Sequence, residues 1–287
     1  MQRSEFRLLD RLRVRWAEID AQQIVFNGHY LMYFDTAVAA YWRAMAMPYA
    51  QTMSALGGDL FVRKATLEYL GSARYDDVLD IGIRCGRIGN SSMTLTGAVF
   101  RQDQLLVSGE LVYVFADAQA QRPLPVPVPP TLRDAMQAFE AGDEMVTVQL
   151  GAWRDLGPEA RVVRTEVFVN EQKIAATLEW DSADDDCVHA LARNRFGQVL
   201  ATGRLLVNAP GIGRLGRMAV VRSMRGTGIG RQVFDALMMT ARERGDREVV
   251  LNAQTSAVAF YEAAGFKARG PGFEEAGIAH VEMACPL

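Results

Sequence analysis

The chain has 287 residues, enough for two domains, with about half of them hydrophobic and a formal net charge of −3. Acids and bases are intermixed, so no basic block marks a nucleic-acid partner and no polybasic run marks an anionic membrane surface. The opening stretch MQRSEFRLLDRLRVRW is charged throughout, unlike a signal peptide, and no window approaches the ~20 apolar residues of a membrane span. The three cysteines, Cys85, Cys187 and Cys285, lie far apart without metal-ligand spacing, so a reduced cytoplasmic protein is expected.

In chain order, Leu12, Val14 and Trp16 alternate with Arg13 and Arg15, which predicts a half-buried strand. From Tyr30 the period lengthens: Leu31, Phe34, Val38, Tyr41 and Met45 predict one apolar stripe on a long helix, closed by Pro48. Strand-like runs follow around 60–69, 77–87, 91–102 and 105–116, with short turns between them. The segment RPLPVPVPP excludes both a helix and a central strand, and TLRDAMQAFEAG predicts a short helix ending at Gly142. One long helix followed by antiparallel strands is an α+β pattern. The expected division is 1–142 and 143–287, with the boundary between 141 and 146.

The second half predicts a strand near 145–150, a helix over DLGPEARVVRTEVFV, an acidic loop, and strands around 188–194, 198–207 and 215–221. A glycine turn, RGTGIG at 225–230, then opens a helix whose apolar face carries Ile229, Val233, Phe234, Leu237, Met238 and Ala241. The strand EVVLNAQ, a helix over SAVAFYEAAG capped by Gly265, and strands near 266–270 and 278–284 complete the chain. No internal repeat joins the two halves, so two different folds are expected.

Helix N-termini carry unpaired amides and a partial positive charge, which suits a phosphate. Glycines at 226, 228 and 230 leave those amides accessible, and Arg225 and Arg231 add charge. The same residues also describe a plain flexible turn. The turn and its surroundings resemble the GNAT acetyltransferases, whose R/Q-x-x-G-x-G/A signature RGTGIG fits. QTSAVAFYEAAGF is similar to that family's N-x-x-A-x-x-F-Y-x-x-x-G-F helix, with Gln254 in the asparagine place. VRTEVFVNEQ at 163–172 and GIAHVEM at 277–283 are similar to a bacterial branch of it.

This resemblance, over roughly 145–287, implies a mixed-sheet α/β domain that moves an acetyl group from acetyl-CoA to an amine. It implies that backbone groups of Met218, Ala219 and Val220 hold the pantetheine arm and that amides of 226–231 hold the pyrophosphate. Tyr261 would then be general acid for the leaving thiolate; as a bare sequence feature it also fits a helix tyrosine packed on a sheet. Glu171, Gln254 and His280 are candidate substrate contacts, although Glu171, Glu274 and His280 also fit salt bridges or solvated loops. The acidic run Asp184 to Asp186 reads as a solvated loop able to attract an amine.

In the first half, Asp20 stands between a strand and a long helix, where it can accept a proton or attack a carbonyl, or merely cap a turn. Amides at the start of that helix, near Asn27 and Gly28, suit a thioester oxygen. Glu18, Asp20, Ala21, Gln23, Val25 and Tyr30 resemble the signature D-x-D-A-x-G-x-V-x-x-x-x-Y of the hotdog-fold 4-hydroxybenzoyl-CoA thioesterases. EYLGSARYDDVLDI at 68–81 and RIGNSSMTL at 87–95 add to the match. Over about 5–140 this implies a sheet wrapped on a long helix, acyl-CoA hydrolysis with Asp20 catalytic, and a homodimer or higher oligomer. Glu18 stands in the place of an aspartate and Gln23 in that of a glycine, so a reshaped turn is expected there; His29 reads as a rim residue.

A bifunctional enzyme on CoA thioesters is therefore expected, with acyl-CoA and an amine acceptor as its small-molecule partners and no metal needed. The rival expectations are a chain catalytic only in its thioesterase half, and a CoA-ester sensor or scaffold.

Overall fold

The computed structural model describes residues 1–120 and 122–287, and its contacts divide the chain into Met1–Met145 and Val146–Leu287. The first unit runs β1 (Leu8–Arg13), α1 (Asn27–Ala44), α2 (Tyr49–Ala55), β2 (Asp59–Tyr69), β3 (Val78–Ile88), β4 (Ser92–Arg101), β5 (Gln104–Asp117), β6 (Leu124–Pro125) and α3 (Pro130–Glu140). Its antiparallel sheet has the order β1-β3-β4-β5-β2, with β6 pairing the end of β5.

Why α1 nests in this sheet is visible at two facing glycines. Gly97 of β4 and Gly109 of β5 are partners in register. A Cβ on Gly97 would lie 2.6 Å from the Phe34 ring, and one on Gly109 would lie 2.8 Å from it. Two missing side chains thus make the seat for a fully buried phenylalanine, and the sheet curves around the helix there.

Local details differ from the sequence pattern. The first strand ends at Arg13, and Trp16 sits in a 3₁₀ turn, 68% exposed, edge-on to Tyr75. The alternation runs past the strand because Val14 still pairs with Asp76 and Asp77 before the chain enters the 3₁₀ turn at Trp16. The buried face of α1 carries Tyr30, Tyr33, Phe34, Ala37, Val38, Tyr41 and Trp42, whereas Leu31 is exposed. Tyrosines replace the expected leucine because their hydroxyls find partners inside: Tyr30 accepts from the Ala73 amide and Tyr33 donates to Glu18.

The second unit runs β7 (Val146–Gly151), α4 (Trp153–Arg164), a π-helical segment (Thr165–Glu171), α5 (Ala176–Glu179), β8 (Val188–Asn194), β9 (Val199–Ala209), β10 (Ile212–Val220), α6 (Ile229–Arg244), β11 (Glu248–Gln254), α7 (Val258–Glu262), β12 (Lys267–Ala268), β13 (Phe273–Glu275) and β14 (Ile278–Pro286). The sheet order is β12-β14-β11-β10-β9-β8-β7, with β13 on β14, and only β10 and β11 are parallel. The helix expected over 155–169 changes to π geometry at Thr165, a form common near functional sites. β13, which the sequence pattern missed, is three exposed residues, too short for an alternating pattern to show.

One irregularity positions everything that follows. The parallel ladder of β10 and β11 holds only from Ile212↔Glu248 to Leu215↔Leu251. Beyond it the β9–β10 register shifts between Gly216 and Ala219, a bulge in which Arg217 has φ 50°. A bulge bends its strand, so β10 leaves β11 and a wedge opens between their C-terminal ends. No described helix in either unit is long and apolar enough to cross a membrane.

Candidate functional sites

In the first unit the segment 18–26 folds into a closed loop. Ile19 bridges Val25, the Asp20 amide donates to Ile24 O, and the Phe26 amide donates to Glu18 O at 2.9 Å. The loop therefore returns to its start at Glu18 just where α1 begins, with Asp20 one step further along the same short hairpin, opposite Ile24. Asp20 Oδ1 accepts from the Gln22 amide at 2.8 Å, and Oδ2 has no hydrogen-bond partner among the described residues. One carboxylate oxygen is anchored and the other is available to a substrate. The amides of Asn27 and Gly28 likewise find no acceptor among the described residues, as the start of a helix dictates. The Asn27 carbonyl accepts from the Tyr69 hydroxyl at 3.2 Å, and His29 lies edge-on to Phe26 at the rim.

Glu18, two residues before Asp20, does different work. It is buried and accepts from the Arg15 amide, the Arg15 guanidinium and the Tyr33 hydroxyl. Burial alone would raise its carboxyl, but these donors outweigh burial and hold it below the usual carboxylate range. It is a fixed anion that braces the loop, not a second base. Gln23 has φ 61°, the left-handed region that favours glycine. Gln23 therefore holds a left-handed backbone conformation without glycine's freedom, which strains the turn. Gln23→Gly should raise stability by up to about 1 kcal/mol, read as a higher denaturation midpoint; a lower midpoint would mean the Gln23 side chain itself holds the turn.

In the second unit the wedge between β10 and β11 forms a cavity of about 490 Å³. Gly216, Arg217 and Met218 form one wall, and Leu251, Gln254 and Tyr261 another. Of the candidate residues, Met218, Gln254, Tyr261 and His280 meet here. Tyr261 is 8% exposed among Phe234, Phe260 and Phe266, and burial pushes its phenol up to about 12. It therefore stays protonated across the physiological range, as an acid must. Gln254 exchanges amide hydrogen bonds with Gln172, at 3.3 and 3.0 Å; Gln172 closes the stretch VRTEVFVNEQ, but a glutamine there carries no sequence signal of its own.

After Ala219 and Val220, the chain reaches the glycine turn. Gly226 and Gly228 have φ 78° and 85°, and Gly228 caps the N-terminus of α6. Among the described residues the amides of Gly226 to Gly230 find no acceptor, which leaves an arc of consecutive N–H donors. Arg225 makes a two-pronged ion pair with Glu171, at 2.7 Å on each oxygen, and its Nε donates to Val220 O. These two candidates are thus partners of each other. Arg231 pairs with Asp235 along α6. In β13 the cavity-facing acid is Glu275, not Glu274.

The acidic run departs most from expectation. Asp184 is 2% exposed and belongs to a closed ring of alternating charges. Its links are Arg164–Glu179 at 2.5 Å, Glu179–Arg217 at 3.2 Å, Arg217–Asp181 at 3.0 Å, Asp181–Arg204 at 2.7 Å, Arg204–Asp184 at 2.7 Å and Asp184–Arg164 at 2.8 Å. Three guanidiniums and three carboxylates balance, so this is a brace between α4, the 176–186 segment, β9 and the bulge, buried at Arg164, Glu179, Asp184 and Arg204 and open to solvent at Asp181. Only Asp185 and Asp186 remain the solvated acids expected there. Among the described residues no group of three or more His, Cys, Asp or Glu side chains could hold a metal ion.

Comparison with known proteins finds two families along the chain. Residues 22–108 match the thioesterase superfamily, and residues 158–287 match the acetyltransferase (GNAT) domain. The uncharacterized N-acetyltransferase YjcF of Bacillus subtilis (strain 168) is 36% identical over 126 residues, 44% of this chain and 89% of that protein. A protein of Aquifex aeolicus (strain VF5), whose name assigns it provisionally to the esterases, is 31% identical over 93 residues, 32% of this chain and 72% of its own. Among solved structures, an acyl-CoA N-acyltransferase from Pseudomonas aeruginosa is 33% identical, with a TM-score of 0.44, covering 49% of this chain and 99% of that one. The chain belongs to both families: a hotdog thioesterase-superfamily domain followed by a GNAT acetyltransferase domain.

Proposed function

We propose that the chain is a bifunctional enzyme of CoA thioesters, hydrolysing an acyl-CoA in its first unit and acetylating an amine from acetyl-CoA in its second. One observation carries this reading. The same chain holds a half-anchored carboxylate in the loop that leads into an open helix N-terminus and, separately, an open amide arc that follows on from a cavity holding a buried phenol.

In the first reaction Asp20 Oδ2 draws a proton from water or attacks the thioester carbonyl, while the Asn27 and Gly28 amides receive the developing oxyanion. In the second, the arc Gly226 to Gly230 takes the pyrophosphate, backbone groups of Met218 to Val220 hold the pantetheine, and the Tyr261 O–H protonates the departing thiolate. Arg225 and Arg231 neutralise phosphate charge, Arg225 by sharing or exchanging its Glu171 partner. Gln254 faces the acceptor. Neither step requires a metal.

The edge strand β2 exposes Phe61 and Val62 and has one unpaired backbone edge, which supports assembly into a homodimer through this sheet. The three free thiols fit the reducing cytoplasm. A panel of acyl-CoA esters, followed by free-thiol release with and without a library of primary amines, tests the whole reading. Amine-independent release for one set of acyl chains and amine-dependent release from acetyl-CoA are expected. Release of only one kind would reduce the protein to a single activity.

A further inference from the structure

We propose that His280 is the general base of the second unit, taking the proton of the attacking amine on Nε2; this rests on the acetyl-transfer reading above. The ring is positioned by two contacts. Its Nδ1 lies 2.8 Å from the Ile278 carbonyl oxygen. A carbonyl has no hydrogen to give, so Nδ1 carries the proton and Nε2 keeps its lone pair. The face of the ring stacks on Phe273, with centroids 5.9 Å apart and planes 21° from parallel. In register it stands across from Gln254, and it lines the same cavity as Tyr261. Among the described residues nothing bonds Nε2.

The other bases of this cavity are committed elsewhere. Glu179 is 2% exposed, with its carboxylate taken by Arg164 and Arg217. Asp181 accepts from Arg204 and Arg217, and the Arg204 hydrogen bonds hold it below the usual carboxylate range, which makes it a poor base. Glu275 accepts from the Asn252 amide on the exposed β13. As classes, carboxylates are weaker bases than imidazoles by about two pKa units, and a base works best near the operating pH. The cations of this cavity are Arg204 and Arg217, both held in the ion-pair ring, and Arg214 on β10, bound to Asn208, Asn252 and Glu282.

The step then balances. The amine nitrogen bonds to the acetyl carbonyl carbon, its proton passes to His280 Nε2, and the carbon–sulfur bond breaks as Tyr261 gives its proton to the sulfur. Solvent returns the proton from imidazolium to phenolate, so amine and acetyl-CoA leave as amide and free CoA thiol.

The chain has three histidines, so long-range ¹H–¹⁵N spectra of the full-length protein, compared with His280→Gln, isolate this ring. An Nδ1–H tautomer is expected; an Nε2–H tautomer overturns the proposal. With acetyl-CoA and the fastest amine of the panel, His280→Gln should lower kcat by ~10² or more. It should leave the acetyl-CoA KM unchanged, abolish the acid limb of the pH–rate profile, and recover activity with added imidazole. A variant that binds CoA normally yet keeps the parent's rate and acid limb also overturns it. His280→Asn carries the same test should the glutamine variant fail to bind CoA. Failure of the parent to acetylate any amine is a different result, and sinks the acetyl-transfer reading itself.

Discussion

Asp20→Asn lowers thioester hydrolysis by ~10² or more, the lower end of what a general base or nucleophile supplies, while amine acetylation continues. The substitution is close to isosteric. An asparagine carbonyl can still accept from the Gln22 amide, so the loop that carries residue 20 keeps its anchor. What disappears is the unpartnered oxygen. Glu18 cannot take over, because Arg15 and Tyr33 occupy it and it is buried. Steady-state hydrolysis of the best acyl-CoA substrate checks the effect, and a folded variant with near-parent rate would remove Asp20 from the mechanism.

Gly228→Val abolishes CoA binding in the second unit and leaves Asp20-dependent hydrolysis intact. Nothing lies within 4 Å of a Cβ built at Gly228, so the cause is not a clash within the chain. The cause is φ 85°, where a β-branched residue is strained, together with a side chain placed where the amide arc must meet the anion. Rearranging the turn disperses the donors from Gly226 to Gly230. Separate measurements of CoA affinity and of hydrolysis distinguish this from general unfolding; unchanged affinity would make the arc a mere turn.

Much of this architecture was legible in the residues because it is local. The glycine turn, the long helix and the strand runs are written in spacing a few residues apart, and their boundaries are close to those observed. The brace around Asp184 was not legible. Its partners Arg164 and Arg204 each lie 20 residues away in the chain, and an acidic run looks solvated until the fold delivers guanidiniums to it. The same holds for Leu31, whose place in the stripe went to tyrosines with buried hydroxyl partners. Arg217 in its bulge and the tautomer of His280 depend on where strands diverge and which carbonyl is near, and neither has a sequence pattern.

If one chain carries two independent sites for CoA thioesters, calorimetric titration of the intact protein with CoA counts them. Two equivalents bound per chain are expected, falling to one in Gly228→Val with the remaining site still active in hydrolysis. A single equivalent in the parent would contradict the two-site reading.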